Sequence, residues 1–222
     1  MVRLFDLHDD GWREVSDAGA LRRVHQALLA GLVVAMPCDT VYGLVAVAES
    51  REAVERVAAI KLREPAQPPP VLVPSVASAF RFAMPLEHEA LAAVSRLWPG
   101  PLSVVVEAVP RLFRAVNPSG STVALRVPAV SGMLGKLLLR YPLVASSANL
   151  HGEETATDGE GVLATLASAG LSRLRREGLA LVVGGSGGGM ASTVIALQGG
   201  VRLIREGDVS FAAIARAISG PR

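Results

Sequence analysis

Short apolar runs alternate along this chain with stretches in which apolar residues recur at helical spacing. Leu21, Val24 and Leu28 fall on one helical face, with Ser16 placed to cap the helix and Gly31 to end it. A second helix is predicted from Ser50 to Ile60, with Ala53, Val57 and Ile60 on one side. Further helices are predicted over 86–97, 131–140, 158–169 (capped by Asp158) and 210–218 (capped by Ser210). The runs at 32–36, 44–48, 71–73, 102–106, 122–127, 143–145, 179–183, 193–197 and 201–204 are short, and several are β-branched, which predicts strands. Turns such as Gln198-Gly199-Gly200 are too short for a helical crossover, so some neighbouring strands must be antiparallel. The expectation is an α/β fold with a mixed sheet in a single domain, because neither a repeat nor a linker interrupts the pattern.

Half of the 222 residues are apolar and 19% are charged, which excludes a disordered chain. The longest uncharged stretch, 178–201, is broken by Gly184, Gly185, Gly187, Gly188 and Gly189 and reads as two strands and a loop, not as a membrane span. The first residues lack the basic and apolar regions of a secretory signal. Cys38 is the single cysteine, so no intrachain disulfide is possible and a reducing compartment, the cytoplasm, is expected. His8, His25, His88 and His151 are scattered, without zinc-site spacing. A net charge of +2 gives little support for non-specific nucleic-acid binding. Of 22 basic residues only Lys61 and Lys136 are lysine, which draws attention to where Lys61 stands.

Several clusters carry candidate chemistry. Asp39-Thr40-Val41-Tyr42-Gly43 follows a predicted buried strand, where ligands of open α/β sheets bind, although an ordinary strand-exit turn reads the same way. Lys61 and Arg63 would point in the same direction if their segment is extended. They then offer a point charge and a fork to a polyphosphate; the alternative is a solvated pair at a helix C-terminus. Ser146-Ser147-Ala148-Asn149 offers hydroxyls and an amide, or merely a cap. Arg126 lies within an apolar strand and needs an anionic partner, either a ligand carboxylate or a structural acid. The Gly184–Gly189 cluster lacks the Gly-Lys-Ser/Thr of a phosphate loop and reads as a flexible connection that could close over a ligand. No nucleophile triad or metal motif is visible, so the chemistry left to the site is positioning and charge stabilisation.

In order, Pro37-Cys38-Asp39-Thr40-Val41-Tyr42-Gly43-Leu44, Lys61-Leu62-Arg63, Trp98-Pro99-Gly100-Pro101-Leu102-Ser103, Val123-Ala124-Leu125-Arg126-Val127-Pro128, Ser146-Ser147-Ala148-Asn149, Ser192-Thr193-Val194 and Ile204-Arg205-Glu206-Gly207 resemble the YrdC family of threonylcarbamoyl-AMP synthases. The resemblance covers about residues 15–215. It implies a twisted mixed parallel and antiparallel sheet flanked by helices, with a large concave basic cleft. It also implies a nucleotidyltransferase that converts L-threonine, bicarbonate and ATP into threonylcarbamoyl-adenylate and pyrophosphate. The product would pass to a threonylcarbamoyl transferase complex acting on tRNA. No additional C-terminal domain is expected after residue 222.

By the same resemblance, Lys61, Arg63, Ser147 and Asn149 are the catalytic tetrad around the ATP phosphates. Gln67, Thr122, Thr155 and Arg205, with Arg63 and Ser147, would contact the nucleotide. Thr40, Arg126 and Ser192, with the backbone near Leu72 and Ala145, would hold threonine. Mg2+ would be held mainly through the ATP phosphates, with few or no protein ligands. Cys38 replaces the family's usual Thr, Ala191 stands where Glu is common, and Pro69-Pro70 enriches the segment after Arg63. Two competing readings are an RNA-binding module that uses the basic cleft without catalysis and an ATP-binding paralogue without synthase activity.

Overall fold

A computed structural model describes residues 3–8, 11–15, 18–62, 68–149 and 156–219. The strands are β1 (Leu4–His8), β2 (Gly11–Val15), β3 (Val33–Met36), β4 (Gly43–Val47), β5 (Val71–Leu72), β6 (Leu102–Glu107), β7 (Thr122–Arg126), β8 (Leu143–Ser147), β9 (Leu179–Val183), β10 (Thr193–Ala196) and β11 (Arg202–Arg205). The helices are α1 (Ala20–Leu29), α2 (Arg51–Ile60), α3 (Val76–Phe82), α4 (His88–Val94), α5 (Pro110–Val116), α6 (Gly132–Leu138), α7 (Gly159–Ser168), α8 (Leu171–Arg176) and α9 (Phe211–Ser219). The strands form one mixed sheet in the order β11-β10-β6-β7-β5-β8-β4-β3-β9-β1-β2. The β6–β10, β5–β7 and β3–β9 pairs are parallel, and the other neighbours are antiparallel. This is the single-domain mixed α/β architecture expected from the pattern of runs.

The period-2 alternation of strand residues explains why the middle of the sheet reads as continuous apolar sequence. Val33 and Ala35 of β3 pack into one core layer, while Val34 and Met36 pack into the layer on the opposite face. The first layer is covered by seven helices, through residues such as Val57 of α2, Phe82 of α3, Leu91 of α4, Leu112 of α5, Leu166 of α7, Leu174 of α8 and Ile214 of α9. Among the described residues the second is covered by α1, through Val24 and Leu28, and by α6, through Leu134 and Leu137.

That asymmetry positions the site. Leu72 belongs to the second layer and is in register with Arg126 on the parallel neighbour β7. Arg126 therefore points to the face covered by α1 and α6, and so do Ala124 and Thr122 at period 2. Over β6, β7 and β10 this face carries no helix from the second layer, and a cleft opens there.

Three departures from the sequence pattern have local causes. The 86–97 stretch is not one helix: 3-10 turns at Pro85–Glu87 and Ser95–Leu97 flank the shorter α4. The helix expected from Ser16 begins at Ala20, with Gly19 as its N-cap in the left-handed region, and Ser16 lies outside the described residues. The β1–β2 hairpin, α3, α5 and α8 have no counterpart in the sequence pattern. Each is seven residues or fewer, too short for a periodic signal. The predicted caps Ser50 and Asp158 do accept the backbone N–H groups of Ala53 and Gly161. No helix among the described residues is long and apolar enough to cross a membrane.

Candidate active site

The cleft has a volume of about 670 Å3. Its lining includes Thr40, Leu72, Thr122, Arg126, Ala145, Ser147, Ser192 and Arg205, eight residues singled out from the sequence. The two charged side chains in its lining are Arg126 and Arg205. Arg63, Gln67 and Thr155 lie outside the described residues.

Lys61 is the C-cap of α2 and is 4% exposed. Its ammonium donates to four oxygens: the Ser147 carbonyl (2.5 Å) and Oγ (3.2 Å), and the Asn149 carbonyl and Oδ1 (2.8 Å each). The end of α2 and the exit of β8 are thus joined through one cation, and three of the four tetrad residues meet. The extended condition on which Lys61 and Arg63 would point the same way fails at Leu62, while Arg63 lies outside the described residues. Leu62 lies in the left-handed region at φ 52, so α2 closes with a left-handed cap made by a residue other than glycine. Leu62 is exposed, which leaves its side chain clear of the helix. On the far side of the α2 terminus, Arg173 of α8 donates to the carbonyls of Ala59 and Ile60 and to that of Ala169. The last carbonyls before Lys61 are therefore satisfied.

At the other end of the cleft Arg126 is fully engaged in geometry but not in capacity. Its Nη2 donates to Asp39 Oδ1 at 2.6 Å, Nη1 to Thr40 Oγ1 at 3.1 Å, and Nε to the Gly100 carbonyl at 3.1 Å. Asp39 Oδ2 accepts from the Ala129 backbone N–H at 2.8 Å. The Arg126 and Asp39 side chains are only 6% and 8% exposed. The anionic partner that Arg126 required is therefore a structural acid, Asp39, supplied by the β3–β4 turn. Among the described residues Arg126 uses three of its five N–H groups, leaving one on each Nη.

Arg205 of β11 donates to the Ser192 carbonyl at 2.8 Å, and Ser192 Oγ shares a hydrogen bond with Ser103 Oγ at 3.1 Å. Asn117, which no sequence motif marks, also lines the cleft and donates to the Thr122 carbonyl at 3.0 Å. It sits in a Pro/Ser/Gly-rich turn with no periodic or motif signal, so only the fold brings it to the site.

Burial pushes the Cys38 thiol up to about 12, against the opposing pull of the Arg126 cation. A thiol so strongly protonated is no nucleophile at neutral pH. The Gly184–Gly189 segment is packed, not loose. Tyr42 Oη lies 3.0 and 2.8 Å from the Val183 and Gly185 carbonyls, and a Cβ at Gly187 would come within 2.9 Å of the Tyr42 nitrogen. No group of three His, Cys, Asp or Glu side chains suited to a metal occurs among the described residues. Hydroxyls, amides and cations are a poor donor set for a protein-held divalent ion.

An open mixed sheet with a cleft on one uncovered face, polar at both ends and without a side-chain nucleophile, defines an α/β protein built to position ligands. The chain belongs to the Sua5/YciO/YrdC family: the model of that family, described as "Telomere recombination", matches residues 26–207. Over 219 residues the chain is 33% identical to a Mycobacterium leprae protein provisionally named threonylcarbamoyl-AMP synthase, covering 98% of this chain and 94% of that one. It is 31% identical over 214 residues to the Bacillus subtilis threonylcarbamoyl-AMP synthase, covering 94% of this chain and 57% of that protein. The structure of Pyrococcus abyssi Sua5 complexed with L-threonine matches with a TM-score of 0.77 at 30% identity, covering 90% of this chain and 57% of that one. The chain thus spans nearly all of the mycobacterial relative and little more than half of the other two.

Proposed function

We infer that this chain is a threonylcarbamoyl-AMP synthase, forming threonylcarbamoyl-adenylate and pyrophosphate from L-threonine, bicarbonate and ATP. The observation that carries the reading is one cleft with the Arg126 fork in its lining and, elsewhere in that lining, Ser147, whose Oγ accepts a hydrogen bond from the Lys61 ammonium buried behind it. That division suits a substrate pair made of a polyphosphate and an amino acid. A volume of about 670 Å3 is in the range of small-molecule sites. The similarity to named synthases and to a threonine-complexed Sua5 supports the same pairing.

In this reading the threonine carboxylate takes the two Arg126 N–H groups left over from its internal bonds. The threonine amine combines with bicarbonate to form a carbamate, with loss of water. A carbamate oxygen then attacks the α-phosphorus of ATP. The new P–O bond forms as the bond to the β-phosphate oxygen breaks, and pyrophosphate leaves with that electron pair. Lys61 and Arg63 stabilise the charge spreading over the phosphates, Ser147 and Asn149 hold Lys61 in place, and Gln67, Thr122, Thr155 and Arg205 contact the nucleotide. Ser192 and the backbone at Leu72 and Ala145 complete the threonine end. Mg2+ bound to the ATP phosphates would supply further charge neutralisation there. Positioning of this kind is worth about 7–11 kcal/mol of barrier. The product is a labile mixed anhydride, consumed by a transferase that modifies tRNA.

The test is pyrophosphate release by the purified protein with threonine and bicarbonate supplied separately and together. Release that needs both is expected. Release independent of threonine, or none with all three substrates present, overturns the reading.

A further inference from the structure

The segment Gly184–Gly189 and the acid Asp39 have no role in the reaction as set out above, yet they converge on one turn. A Cβ at Gly188 would lie 2.5 Å from the Thr40 carbonyl oxygen and closer still to that of Asp39. At Gly187 a Cβ would meet the Val41 carbonyl carbon at 3.0 Å and the Tyr42 nitrogen at 2.9 Å. The glycines are anchored in their turn: Gly187 N–H donates to the Thr157 carbonyl at 2.9 Å, and Tyr42 Oη reaches the Gly185 carbonyl at 2.8 Å. The backbone of residues 39–42 thus rests directly on the backbone of 187–188, with no side chain between them. From above, Asp39 ties the same turn to β7 and the loop after it through Arg126 Nη2 and the Ala129 N–H. Thr40 Oγ1 adds a third tie, to Nη1.

We propose that the Asp39–Thr40 turn, wedged from below by Gly187 and Gly188, is a positioning element that aims the Arg126 fork and so sets affinity for the amino-acid substrate. Neither Asp39 nor Gly188 lines the cleft, so both act through Arg126 and Thr40, which do. The two ties of Asp39 leave Arg126 one rotational setting in which Nε meets Gly100, Nη1 meets Thr40, and one N–H on each Nη stays available. A side chain at Gly188 must push the turn by about 1 Å to reach ordinary contact, and a misplacement of that size at a substrate-orienting group costs up to about 10²-fold in rate. Gly187 and Gly188 serve this close backbone approach and not a left-handed turn, since neither has a positive φ.

The inference depends on the amino-acid reading of the Arg126 end, and its test separates the two. Pyrophosphate release is measured against threonine at saturating ATP and against ATP at saturating threonine, for the wild-type chain and for Gly189→Ala, Gly187→Ala, Gly188→Ala and Asp39→Asn. A Cβ at Gly189 meets nothing within 4 Å, so that variant should match wild type. The apparent KM for threonine should rise about threefold in Gly187→Ala and tenfold or more in Gly188→Ala and Asp39→Asn, with the KM for ATP within twofold of wild type. Equal rises in both KM values, or a loss of kcat with both KM values unchanged, means a merely structural role and overturns the proposal. Should Gly188→Ala and Asp39→Asn fail to fold, the milder Gly187→Ala against Gly189→Ala decides by the same split. A wild-type chain that turns over ATP without threonine refutes the proposed function itself, whatever the variants do.

Discussion

Replacing Lys61 by methionine keeps an unbranched side chain, one heavy atom shorter, and removes its charge and donors. In the folded protein four oxygens converge on that ammonium, two of them backbone carbonyls. Each acceptor left dry costs about 1–3 kcal/mol. Against this, the wild type bears the desolvation of a buried cation, several kcal/mol that the variant escapes. The two terms largely cancel, leaving a net loss of about 2 kcal/mol, or ~4–8 °C in Tm for a chain of this size. The catalytic effect should be far larger than the stability effect: removing one preorganised charge-stabilising donor costs about 10²–10³ in kcat. Lys61→Arg should rescue little, because a planar fork cannot place one point charge among four converging acceptors. The assay is pyrophosphate release at saturating ATP, threonine and bicarbonate, run on protein shown to be folded by its melting curve. A folded Lys61→Met variant releasing pyrophosphate within ~3-fold of wild type would refute the assignment of Lys61 to the phosphates and the mechanism built on it.

Three further outcomes are expected. Breaking the Asp39–Arg126 pair from one side, as in Arg126→Met, should destabilise by about 3–5 kcal/mol by chemical denaturation, and Asp39→Leu combined with Arg126→Met should cost less than the sum of the single changes; strict additivity would mean that the two groups do not share one buried interaction. At Leu62, glycine should hold or raise stability by up to about 1 kcal/mol while valine lowers it, because only glycine adopts φ 52 without strain; equal melting temperatures would show that the cap is not held in this conformation. Cys38 and Tyr42 are both pushed up to about 12 by burial, from ordinary values of 9.0 and 10.0. The folded state keeps these protons longer than the unfolded chain, so their contribution is complete below pH 9 and is lost as pH climbs from about 9 to 12. Cys38→Ala should flatten that alkaline decline, and an unchanged slope between pH 9 and 12 would remove Cys38 as its cause.

The sequence by itself determined nine of the eleven strands, β3 to β11, because largely buried strands such as β3 and β9 must be apolar at nearly every position, and it determined the helices long enough to show periodicity, such as α2 and α7 with their capping Ser50 and Asp158. It also carried the candidate residues, since strand period places Thr122 and Arg126 on one side and the ordered motifs are local strings. What it could not carry were relations between distant segments. That Arg126 is answered by Asp39, 87 residues away, depends on the β3–β4 turn lying beside the end of β7. That the glycines of 184–189 form a wedge depends on what lies against them; five glycines in a string read as freedom until backbone from 39–42 fills the space. The seating of Lys61 among Ser147 and Asn149 is likewise a tertiary fact, 86 and 88 residues removed. The cleft itself follows from an asymmetry no local pattern contains: among the described residues seven helices cover one face of the sheet and two the other, so Thr122 and Arg126 of β7, with Val105 of β6 and Val194 of β10, stay open to a ligand. Local energetics write themselves into spacing and composition, whereas which surface goes uncovered is settled only when the whole chain competes for the same sheet.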